Sequence, residues 1–145
     1  MEAKFVQYDL PGISIFVPPQ NNGHQLLLKE KALLTFTGKS WRYPFNLIRQ
    51  IANIALYWIG PDGQEKIETN FSPPIELRVG YHTNDLMQAG CGIDRLKLAY
   101  WDGADWVVFI DGINCHYRIL PPGTAQVAEI TFEHWAGDPP LAWGD

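Results

Sequence analysis

Leu96-Lys97-Leu98-Ala99-Tyr100-Trp101-Asp102-Gly103-Ala104-Asp105-Trp106-Val107-Val108-Phe109-Ile110 is the stretch whose reading decides the fold. Leu96, Leu98 and Tyr100 fall on one side of a two-residue period, and Arg95, Lys97 and Ala99 on the other. Successive side chains of a strand point to opposite faces, so this alternation predicts a strand with one face in a core. Asp102-Gly103-Ala104-Asp105 has turn chemistry, and Trp106 to Ile110 returns with β-branched and aromatic residues suited to a pleated sheet. The stretch is therefore read as a β-hairpin.

The same design extends outward. Ile75, Leu77, Val79 and Tyr81 alternate with Glu76, Arg78 and His82, a half-buried strand that Pro73-Pro74 is expected to start sharply. Ile13 to Val17 is a short strand between Pro11-Gly12 and Pro18-Pro19. Gln25 to Leu28 and Ala32 to Thr37 read as strands split by a charged corner at Lys29-Glu30-Lys31. Asn53 to Ile59, Gln64 to Glu68, Asn114 to Ile119 and Val127 to Trp135 complete the set, while Tyr43 to Ala52 fits a helix or a strand, the strand being preferred for its second half. One short helix is expected at Thr83 to Gly90, capped by Thr83 or Asn84 and stopped by Gly90. About nine or ten short strands with turn signals between them predict an all-β fold, a two-sheet antiparallel β-sandwich. One domain over 1–135 and an extended C-terminal tail over 136–145 are expected, the tail packing on the domain or leading elsewhere.

Composition narrows the function classes. The chain has 145 residues, 46% hydrophobic and 19% charged, enough apolar surface for a packed core and too much for a disordered polymer. A net charge of -5 with no Lys/Arg stripe disfavours nucleic acid and anionic membrane surfaces as partners. No apolar run approaches the ~20 residues of a membrane helix, and Met1-Glu2-Ala3-Lys4 lacks a leader's apolar region. The expectation is a cytoplasmic protein, or a domain of a larger exported one. Cys91 and Cys115 suit either one bridge or two thiols acting as small apolar residues, with the second preferred.

Pro11-Gly12-Ile13-Ser14-Ile15-Phe16-Val17-Pro18-Pro19 resembles the opening of ZU-type β-sandwich domains, where a strand ends on a proline-rich turn. Ser72-Pro73-Pro74-Ile75-Glu76-Leu77-Arg78-Val79-Gly80-Tyr81 and Asp94 to Gly103 with Trp106 resemble a variant of that domain in multidomain bacterial surface proteins. The resemblance spans roughly Gly12 to Ile110, departs at Gln20-Asn21 and does not cover the tail. It implies an Ig-like or ZU-like sandwich for interaction or spacing, with no active site to transfer.

Among candidate sites, Trp101, Asp102, Asp105 and Trp106 stand first: an outward Trp beside an acidic turn is a platform for a sugar ring or a protein partner. The competing structural reading, which carries more weight, pairs Trp101 with Trp106 across the hairpin. Asp85 and Asp94 are candidate calcium ligands in loops, without EF-hand spacing. His24, His82, His116 and His134 show no metal-ligand spacing, and Cys115-His116 are strand neighbours that point to opposite faces. Gly90-Cys91-Gly92 lacks the rest of a phosphate loop. The sequence thus predicts a non-enzymatic, cofactor-free module that meets protein or carbohydrate. Two alternatives stand: an enzyme whose acid and His converge only in the fold, and a calcium-stabilised module.

Overall fold

The computed structural model describes residues 6–31, 40–41, 45–101, 105–112, 115–123, 125–134 and 140–145. Along them run β1 (Val6–Leu10), β2 (Ile13–Val17), β3 (Leu27–Lys31), β4 (Ser40–Trp41), β5 (Leu47–Ile59), β6 (Glu65–Ile67) and β7 (Asn70–Gly80). Then come α1 (Thr83–Gln88), β8 (Lys97–Trp101), β9 (Trp106–Val108), β10 (Cys115–Ile119), β11 (Val127–His134) and β12 (Pro140–Gly144). Sheet A has the order β1-β2-β7-β11-β10 and is antiparallel throughout. Sheet B has the order β3-β5-β12-β8-β9-β4, with β6 also on β5, and its β4–β9 pair is parallel. The expected all-β sandwich is the observed fold.

Period-two alternation fills the space between the sheets. Sheet A supplies Ile13, Ile15 and Val17, Ile75, Leu77 and Val79, and Ala128, Ile130 and Phe132. Facing them are Ile54, Leu56, Leu98, Leu141 and Trp143 of sheet B. Each large apolar side chain removed from water in this way stabilises by about 1.5–3 kcal/mol. Buried polar handles bridge between segments: Trp143 Nε1 donates to the Gly80 carbonyl at 2.9 Å, and Tyr81 Oη to that of Leu120 at 2.6 Å.

Several sequence expectations change. The segment 136–145, read as a tail, contains β12, which lies between β5 and β8 with Leu141, Ala142 and Trp143 fully buried. Gly144 permits that close approach, because a Cβ there would fall on the Asn46 carbonyl oxygen and the Phe45 ring. The charged corner at Lys29-Glu30-Lys31 is strand, paired with Asn53 to Ala55. It tolerates charge because β3 is an edge and Lys29 reaches outward to Glu65 at 2.9 Å. β7 begins before Pro73-Pro74, at Asn70. The prolines lie where the β11 register jumps from Phe132↔Ile75 to His134↔Asn70, so no regular ladder bond is lost there. The expected strand at Ala32 to Thr37 and the Asp102-Gly103-Ala104 turn lie outside the described residues.

Helix α1 is capped by His82 rather than Thr83 or Asn84. The Asp85 carboxylate accepts the His82 backbone N–H at 2.8 Å, satisfying a donor that the helix itself leaves open. Leu86 and Ala89 pack on the core, so α1 sits against one end of the sandwich near β5. Gly90, with φ +89°, ends the helix as expected.

Candidate functional site

The β8–β9 hairpin sets Trp101 directly opposite Trp106, their rings 5.3 Å apart and edge-on at 66°. Trp106 is buried with Phe45, Ala99 and Ala142 on the outer side of sheet B, and Trp101 and Val108 pack against this cluster. Trp106 therefore backs its neighbour and presents no binding surface of its own. Trp101 and Asp105 are half-buried, and Asp102 lies outside the described residues. The cross-strand aromatic pair is present, and of the four proposed contact residues Trp101 is the ring left partly open.

The two calcium candidates stand in different surroundings. Asp85, 2% exposed, is gripped by Arg49, whose Nε and Nη2 lie 3.0 and 2.7 Å from its two oxygens. Burial alone would push this carboxyl up, but the Arg49 guanidinium and the His82 N–H hold it below the usual carboxylate range. Its charge already has a cation. Asp94 is exposed. Among the described residues no group of three or more His, Cys, Asp or Glu is placed to hold a metal. Cys91 and Cys115 are free thiols; Cys91 is exposed, while burial pushes the Cys115 thiol up. The side chains of Cys115 and His116 are divided as expected, Cys115 packing on the core and His116 standing exposed.

The structure assembles a different constellation at the opposite end of β5. His24 Nδ1 lies 2.6 Å from Glu68 Oε2, across 44 residues of chain. The imidazole lies flat on Trp58, centroids 3.6 Å apart and planes 15° from parallel. Asn22 fixes both partners: its Nδ2 donates to Glu68 Oε2 at 3.2 Å, and its Oδ1 accepts the His24 backbone N–H at 2.9 Å. Lys66, the cross-strand neighbour of Trp58, holds its ammonium 5.7 Å from that ring's centroid. Side-chain exposure is 26% for His24 and 15% for Glu68, so the pair is shielded without being sealed.

Local geometry explains the convergence. Gly23, at φ +77°, turns the chain after β2 so that His24 comes back over Trp58. The Glu68 N–H donates to the Leu56 carbonyl at 2.8 Å, anchoring the segment after β6 on β5. A carboxylate on one imidazole nitrogen fixes tautomer and ring orientation and leaves the other nitrogen as an acceptor. Sequence reading passed over this group because its members lie on three separate segments, with no periodicity linking them. The one available signal was Trp58 near the end of the strand read over Asn53 to Ile59.

No protein-family model, no curated protein and no solved structure matches the chain. Among the described residues no helix is long and apolar enough to cross a membrane.

Proposed function

We propose that the chain is a β-sandwich module for interaction or spacing, meeting protein or carbohydrate at the Trp101 rim of sheet B. The observation that carries this reading is the backing of a half-buried Trp101 by a buried Trp106. An amphipathic ring held rigid before binding loses little entropy on contact, which is why such rings anchor interfaces and stack on sugars. Asp105, beside them on the hairpin, offers a polar neighbour for ligand hydroxyls or amides. The likeness of the strand punctuation to ZU-type and Ig-like modules of bacterial surface proteins agrees with such a role.

Glycan arrays and pull-downs with the intact chain test the proposal. Trp101→Ala should lose about 2 kcal/mol of binding to a genuine partner, and about 1–2 kcal/mol of stability as for any half-buried ring, on a chain that remains folded. Equal binding by wild type and Trp101→Ala would remove the rim as the contact surface. Screens blank at high concentration would leave spacing alone.

A further inference from the structure

We propose that His24 is a carboxylate-oriented nucleophile toward small activated carboxylic esters, giving the chain an esterase activity at the end of the sandwich remote from α1. The inference is independent of the Trp101 rim. Glu68 accepts from His24 Nδ1–H at 2.6 Å, which leaves the lone pair on Nε2. Among the described residues Nε2 meets no partner. Trp58 covers one face of the ring and the Asn22 bonds hold the backbone, so the lone pair keeps one direction. An imidazole held by a carboxylate is the base-and-orienter half of acyl-transfer sites, and imidazoles also form covalent intermediates themselves.

The reaction proceeds in two balanced steps. The Nε2 lone pair attacks the ester carbonyl carbon, the carbon–oxygen bond to the leaving group breaks, and an alkoxide or phenolate departs. The resulting acyl-imidazolium shares its Nδ1 proton with Glu68, which disperses the new positive charge. Water then adds to the acyl carbon and the carbon–Nε2 bond breaks. Carboxylic acid leaves, the proton released from the water passes through solvent to the departed alkoxide or phenolate, and the neutral imidazole is restored. His24 is the catalytic residue and Glu68 a positioning residue.

Two measurements on the intact chain test this. In the first, diethyl pyrocarbonate labelling is followed by peptide mass spectrometry. His24 should react faster than His116, although the His116 side chain is 86% exposed and that of His24 26%. Exposure alone predicts the reverse order, and that result would overturn the proposal without any variant. In the second, p-nitrophenyl acetate hydrolysis by the folded chain should exceed that of the urea-unfolded chain by about tenfold or more. His24→Gln should bring the rate to the unfolded level, and His116→Gln should leave it unchanged. Glu68→Ala should lower it about tenfold, with part of the loss recovered on adding formate, a response that a merely structural carboxylate would not give. A folded His24→Gln chain that keeps the wild-type rate refutes the assignment.

Discussion

The two ends of β5 each carry a carboxylate held by a basic side chain, and the two pairs do different work. At one end Arg49 grips Asp85 through both oxygens, with Asp85, in the first turn of α1, 2% exposed. At the other, nine residues and roughly 30 Å of strand away, Glu68 holds His24 through one ring nitrogen. A guanidinium has only donors and stays charged, so the Arg49 pair is chemically closed and acts as a tether between strand and helix. An imidazole has a second nitrogen, so the same carboxylate geometry leaves Nε2 uncommitted by the pair. The difference lies in what the basic partner has left over once the pair is made, since the pair distances are 2.7 and 2.6 Å.

Breaking the tether should have the largest effect. Arg49→Met leaves the Asp85 carboxylate buried without its cation and should cost about 3–5 kcal/mol in urea unfolding. Restoring neutrality in the Arg49→Met/Asp85→Asn double variant should recover part of it, which separates charge from packing. The tether should also show in acid. Asp85 is held below the 3.8 of a free aspartate carboxyl. A depressed folded-state value means its stabilisation is complete above that unfolded value and disappears as pH falls through the lower, folded one. Thermal melts from pH 5 downward should therefore drop more steeply for wild type than for Arg49→Met.

The opposite end should be gentler. Trp58→Ala removes a half-buried ring and should cost about 1–2 kcal/mol, while freeing His24 to rotate. Its signature would be a fall in the reactivity of His24 toward diethyl pyrocarbonate on a chain that remains folded. Glu68→Gln and His24→Gln should each change stability by less than about 1 kcal/mol, because the pair is partly solvated. A loss comparable to that of Arg49→Met would make the His24 end a second tether and erase the contrast between the two ends.

The outer faces of the sheets repeat the lesson on a larger scale. On sheet A the row Asp9, Ser14, Arg78, Glu129 and Arg118 runs in register across five strands. Ser14 Oγ donates to Asp9, and Arg118 pairs with Glu129 at 2.7 Å. On sheet B the corresponding side carries a buried apolar cluster of Ala99, Ala142, Trp106 and Phe45. The first face was legible, because Glu76 and Arg78 alternate with Ile75, Leu77 and Val79 and so declare which side meets water. The second was only half legible. Trp101 could be assigned to the side away from the core, whereas the burial of Trp106 depends on Phe45 and Ala142, distant in sequence.

Alternation in the sequence by itself determined the all-β class, the β8–β9 hairpin and the core faces of β7 and β8, and glycine's backbone freedom the stop at Gly90. It could do so because a strand's two-residue period records which side meets water, a property local to each segment. Tertiary structure alone decided that Leu141-Ala142-Trp143 is a central strand, that His82 caps α1 and that His24 meets Glu68. Each of these depends on which distant segment arrives alongside, and strand order and register are set by the whole packed assembly rather than by any one stretch of it.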